Sequence, residues 1–200
     1  MAALAKLRRE LEPILSMAKL DPAAMALLRD CVECEAGLDR LQEAGELVGA
    51  ARLGAFALPR REAVWWAGMC AVHTAPSGQP EIEVKAREAA ELWVRQQDDT
   101  TRRAAMDLAR QAGFGTPEAW VAVAAFWCGD SMAPPGQPAV PPAPHLVGTA
   151  VAGAVTLAAV RGDPSRQAAR LARFLAGLRD IAAGGAGRLG PEPAVDRTGS

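Results

Sequence analysis

No tyrosine occurs anywhere in the 200 residues, isoleucine stands only at Ile14, Ile82 and Ile181, and no run alternates apolar with polar at period two. Strands favour β-branched and aromatic residues, so this scarcity excludes a sheet protein and leaves an all-α fold. Neither sign of charge is in surplus: 22 Lys and Arg face 23 Asp and Glu, a formal net charge of −1. So balanced a chain has no built-in long-range attraction for nucleic acid or an anionic bilayer, and a nucleic-acid partner is not expected. Cysteine is sparse as well. The four thiols, at Cys31, Cys34, Cys70 and Cys128, do not make a disulfide framework in a chain of this size, which fits a reducing, cytoplasmic setting. The opening MAALAKLRRELEPIL carries Lys6, Arg8, Arg9, Glu10 and Glu12 where a signal peptide needs an unbroken apolar run, so an amphipathic helix is expected there instead. A Walker loop, HExxH, GxSxG and a strand-borne GxGxxG are all missing, and with them any basis for naming a catalytic residue.

What is abundant is alanine, glycine, proline and arginine. Lysine appears only at Lys6, Lys19 and Lys85, an imbalance that reads first as the composition of a GC-rich bacterial genome. Half the residues are apolar, enough to bury a core. Proline is tolerated in a first helical turn, where its missing N–H has no partner to lose, and Asp21-Pro22, Leu58-Pro59, Thr116-Pro117 and Asp163-Pro164 mark helix starts. The pattern predicts helices near 3–18, 22–37, 38–53, 59–74, 81–97, 99–112, 117–128, 145–161 and 164–183. They group as N-terminal helices (1–55), a helical core domain (56–183) and a tail (184–200), rich in glycine with little to bury, that is expected to be disordered. The expected whole is a single multi-helix bundle, with some likeness to the hairpins of helical solenoids.

From Ala119 to Val160 the one formal charge is Asp130. Two apolar helices are expected here, joined by the proline-rich strap MAPPGQPAVPPAP. Helices apolar on every side belong inside a bundle, and the second is too short to span hydrocarbon, so no membrane span is expected.

Three constellations carry candidate chemistry. Cys31-x-x-Cys34 with Cys70-x-x-His73 supplies the donor types of a zinc site, but the gap between the pairs is unlike familiar zinc modules and buried core thiols are the plainer reading. Cys70 and His73, three apart on one helix, also offer a nucleophile and a base, with no third group to orient them. In Leu58-Pro-Arg-Arg-Glu-Ala-Val-Trp-Trp, Arg60 and Arg61 fall in a first helical turn, where the macrodipole prefers acids. They need an internal partner such as Glu62 or Asp130, or an external anion. Trp65 and Trp66 point about 100° apart on a helix, so one can fill the core while the other reaches a groove. Asp130 is expected to brace its loop or to bind Arg60 or Arg61, and its loss to be the most damaging. Arg166, Arg170 and Arg173 read as a solvated basic face, or as the seat of an acidic partner helix.

The block PRREAVWWA, the later AGFGTPEAWVAVAAFWCGDSMAPP and the strap before HLVGTAVAGAVTLAAVR resemble an uncharacterised family of bacterial proteins associated with type VI secretion gene clusters, over roughly Leu58 to Arg161. The resemblance implies an accessory, adaptor or chaperone-like role without an enzyme's residues. The expectation is therefore a non-enzymatic protein that needs no cofactor and works through protein–protein contact at Arg60, Arg61, Glu62, Trp65, Trp66 and Asp130. The alternative is a zinc- or small-ligand-binding helical domain using Cys31, Cys34, Cys70 and His73. An enzyme built on Cys70 or Asp130 comes third.

Overall fold

The computed structural model describes residues 4–193. The fold is all-α. Among the described residues the chain forms α1 (Glu12–Ala18), α2 (Pro22–Leu27), α3 (Cys34–Glu43), α4 (Leu47–Ala57), α5 (Arg60–His73), α6 (Glu81–Gln96), α7 (Asp99–Ala112), α8 (Pro117–Trp127), α9 (Leu146–Val160) and α10 (Gln167–Ala182). A 3-10 turn, Pro164–Arg166, leads into α10. The only extended pairing among these residues is an isolated antiparallel bridge between Glu10 and Glu33.

Helix starts follow side-chain chemistry. Asp21 accepts from the Ala24 N–H at 2.8 Å, Asp98 from Thr101 at 2.8 Å and Thr116 from Ala119 at 3.4 Å, each capping one of the N–H groups that a first turn leaves unpaired. The expected helix over 3–18 begins only at Glu12, because Lys6 and Arg8 spend their N–H groups on Ala182 and Ala57 carbonyls. The expected helix over 22–37 is two helices. Leu11 donates to Val32 and Cys34 to Arg9, so the segment between α2 and α3 is drawn out beside the N-terminal segment. The expected helix over 38–53 also breaks. At Gly45 (φ +75°) the Glu46 N–H turns back to Leu41 and the Gly45 N–H to Gln42, a left-handed stop that glycine adopts without a Cβ penalty.

The charge-poor hairpin α8/α9 lies inside. α8 packs on α6, α7 and α9, while α9 packs on α4, α5 and α8, and α10 crosses α4 and α5. Burying both helices on nearly every side answers their lack of a polar face. One cluster of buried side chains runs from Leu11 to Ala182, so the division expected at residue 55 does not separate two cores. Among the described residues no single helix is long and apolar enough to cross a membrane. The proline strap is pinched rather than simply stretched: Ser131 Oγ accepts from Ala133 and Val140 N–H groups at 3.1 and 3.0 Å, and Met132 donates to Val140 at 2.8 Å.

The tail expected to be disordered from Gly184 folds back as far as Pro193, held by hydrogen bonds to α5 and α10; its remainder, 194–200, lies outside the described residues.

Candidate functional site

Two arginines open α5, and their surroundings differ. Arg61 Nε donates to the Val94 carbonyl at 2.9 Å. Val94 sits in the last turn of α6, where carbonyls have no helical N–H left to accept from and the dipole's negative end gathers, so the cation that is misplaced on its own helix is well placed on its neighbour's. Glu62 turns to Lys6, with Nζ 3.6 Å from Oε1. Arg60 is exposed and faces away from Arg61, into a small cavity of about 160 Å³ that it shares with Arg8, Phe56 and Val147.

Beside Arg61 lies an open cleft of about 370 Å³. Its rim brings together Lys6, Arg61, Arg95 and Arg188 against a single carboxylate, Glu62, and Trp65 forms its wall. In a chain whose net charge is −1, four cations around one acid make a local positive field that the whole-chain balance hides. Trp65 is half-buried, and its Nε1 donates to the Ala186 carbonyl of the folded-back tail at 2.7 Å.

The remaining members of the expected patch are elsewhere. Trp66 is fully buried, with Nε1 donating to the Phe174 carbonyl at 2.8 Å, so it belongs to the core and cannot anchor a partner. Its indole points a helical step away from that of Trp65, which sends one ring inward and the other to the cleft. Asp130 is exposed and makes no side-chain hydrogen bond or ion pair among the described residues; it neither braces its loop nor meets Arg60 or Arg61. Its loop is held by Arg102 instead, which is buried against the Phe126 ring and donates to the Phe126 and Ser131 carbonyls at 3.2 and 2.8 Å.

Cys31, Cys34, Cys70 and His73 are not brought together, and among the described residues no three His, Cys, Asp or Glu side chains are grouped to hold a metal ion. Cys31 lies in the turn before α3. Cys34, at its start, donates to the Glu10 carbonyl at 3.3 Å, and burial pushes its thiol up to about 11. Cys70 is fully buried, and desolvation raises its thiol well above the ordinary value. Burial therefore disfavours the thiolate that a nucleophile or a zinc ligand needs. His73 Nδ1 donates to the Gly190 carbonyl, and its ring stands edge-on to Phe174 at 5.9 Å. A Cys70–His73 nucleophilic pair is thus not assembled.

Arg170, expected on a solvated face, is 5% exposed and grips Glu192 of the tail, with Nη2 2.8 Å from Oε2. Sequence reasoning reached Arg61, Glu62 and Trp65 through a broken local rule, but it missed Lys6, Arg95, Arg188 and Glu192. Lys6 lies in the N-terminal segment, Arg95 on α6, and Arg188 and Glu192 on the folded-back tail, so they reach α5 and α10 only through tertiary packing.

No curated protein and no solved structure matches this chain. A family model does match residues 37–182, from within α3 to the end of α10, which takes in Arg61, Glu62, Trp65 and Arg95 but stops short of Lys6 and the folded-back tail. The chain belongs to that family, DUF6931, a family of unknown function.

Proposed function

We propose that this chain is a non-enzymatic, cytoplasmic adaptor or chaperone-like accessory protein, and that it binds an acidic stretch of a protein partner in the cleft between α5, α6 and the folded-back tail. One observation carries the reading: Lys6, Arg61, Arg95 and Arg188 converge on an open cleft that holds one carboxylate and an indole wall. Arginine and tryptophan dominate the energetics of protein interfaces, and an excess of one charge sign steers and selects a partner of the other. The buried, protonated state favoured at Cys70 and Cys34 supports a role without thiol chemistry. The type VI secretion clusters of the sequence resemblance supply the setting proposed for this activity, and the neighbouring genes test that part.

The cleft itself is tested by a photo-crosslinker placed at position 95 in full-length protein. The expected result is an acidic partner captured by this protein and lost when Arg61→Glu and Arg188→Glu are introduced together. Retention of every crosslinked partner by that double variant removes the cleft from the proposal. Capture of a small anion alone makes the chain a ligand-binding domain instead.

A further inference from the structure

The folded-back tail is composed like a linker, yet the body of the protein reads it almost residue by residue. After α10 ends, Ala186 accepts from Trp65 Nε1 at 2.7 Å, and the Gly187 N–H donates to Asp180 Oδ2 at 2.7 Å. Gly187 itself is buried with φ +57°, and a Cβ there would lie 2.4 Å from Ile181 Cγ1. Leu189 packs against the core beside Gly177. Gly190 accepts from His73 Nδ1, and the Glu192 N–H donates to the His73 carbonyl at 2.7 Å. The Glu192 carboxylate closes the run: Arg170 reaches it from Nε at 3.1 Å and Nη2 at 2.8 Å, and Arg166 Nη2 lies 2.9 Å away. The segment thus follows α5 from Trp65 to His73 and α10 from Ile181 back towards Arg166, lying in the groove between them as an extended peptide would.

The groove has the chemistry of a receptor. Arg170 is almost wholly buried, and its Nη1 is fixed by the Ala159 and Arg161 carbonyls at 3.0 and 2.6 Å, which leaves Nε and Nη2 aimed at the carboxylate as a rigid fork. Around the acid stand Arg166, Arg170, Arg173 and His73, and among the described residues lining this pocket Glu192 of the tail is the one carboxylate. Without the tail, the groove is a positive slot with a preset carboxylate clamp, continuous through Trp65 with the basic cleft.

We propose that the α5/α10 groove is a docking site for an extended, glutamate-bearing segment of a protein partner, with an apolar residue three positions before the acid, and that residues 186–192 of this chain occupy it in cis as a displaceable latch. Such a partner competes with Leu189 and Glu192 for the same slot, and its arrival frees Trp65 from Ala186. The partner class rests on the adaptor reading; the latch rests on the cis contacts alone.

The probe is a fluorescein-labelled peptide of residues 184–193, GGAGRLGPEP, titrated into full-length protein and read by anisotropy. In the unaltered chain the latch outcompetes the probe. Glu192→Gln in the chain, which removes the charge from the clamp, is expected to tighten probe binding about tenfold. Gly187→Val, which lifts the latch by crowding Ile181, is expected to do the same. A probe whose glutamate is replaced by glutamine loses about tenfold in affinity for both variants. A gain in neither variant, or equal binding of the glutamate and glutamine probes, overturns the proposal. Repeating the titration in an Arg61→Glu background separates the two readings: binding that persists there leaves the groove standing even if the cleft captures no partner.

Discussion

Glu118 and Arg161 stand at the two ends of the charge-poor hairpin and close on each other across it. Glu118 is fully buried in the first turn of α8, Arg161 caps the end of α9, and Arg161 Nη1 donates to Glu118 Oε1 at 2.9 Å while Nη2 reaches Oε2. Each charge also faces the helix end that favours it, the acid at an N-terminus and the base at a C-terminus. Removing one partner leaves the other desolvated. Arg161→Met is therefore expected to cost about 3–5 kcal/mol, lowering the Tm on the order of 10 °C in a chain of this size. Adding Glu118→Gln to that variant should recover part of the loss. Thermal melts followed by circular dichroism check both, and a double variant as unstable as the sum of the two singles contradicts the pairing.

Asp130 carries the opposite expectation. It was conspicuous in the sequence as the one formal charge between Ala119 and Val160, yet it is exposed and the loop around it is held by the buried Arg102. Asp130→Ala should change stability by no more than about 0.5 kcal/mol, as surface substitutions away from any network do. Arg102→Ala, which strips the Phe126 and Ser131 carbonyls of a donor and leaves a void beside the Phe126 ring, should cost about 2–4 kcal/mol. Urea titrations of the two variants side by side give the contrast.

Asp130 marks the boundary between what local chemistry dictates and what tertiary packing decides. Fold class was legible because it depends on local chemistry: the lack of tyrosine and isoleucine, and the prolines and capping residues at Asp21, Asp98 and Thr116. The breaks before Cys34 and at Gly45 were not. Apolar periodicity carries across a one-residue left-handed turn, and the extended stretch before α3 is set by hydrogen bonds to Arg9 and Leu11 far away in sequence. Arg61 and Trp65 could be found because two arginines at a helix start break a local rule. Glu192 could not, since a stretch of glycine and proline signals disorder when it has little to bury, and this one is held by side chains of α5 and α10 bonding to its backbone.

The adjacent tryptophans should separate cleanly by experiment. Trp66→Ala empties a site in the middle of the core and orphans the Phe174 carbonyl contact, for an expected loss of about 3–5 kcal/mol. Trp65→Phe keeps a ring on the cleft wall but removes the donor to Ala186, for about 1 kcal/mol. Loss of partner binding in Trp66→Ala therefore reports unfolding, whereas loss in Trp65→Phe at an unchanged core reports the cleft. Denaturation curves run beside the binding assay distinguish the two, and comparable stabilities for the two variants would place Trp66 outside the core.

Acid should loosen the tail. The hydrogen bond from Arg170, with the added charges of Arg166 and His73, holds the Glu192 carboxyl below the usual glutamate range. A carboxyl whose folded value is depressed stabilises the folded arrangement fully above its unfolded value, near 4.3, and ceases to do so as the pH falls through the lower folded value. The contacts of Glu192 with Arg166 and Arg170 are thus intact near neutrality and lost in the acid window beneath the ordinary glutamate value. Asp163 lies nearby with its own carboxyl lowered by Ser165, but it holds the turn before α10 and does not touch the tail. The indole N–H resonance of Trp65, bonded to Ala186, is the direct reporter. It should shift through that window in the unaltered chain and stay flat there in Glu192→Gln, in which the tail has already lost its charged clamp. A Glu192→Gln protein that keeps the same acid transition would show that the Arg170 fork does not control the release.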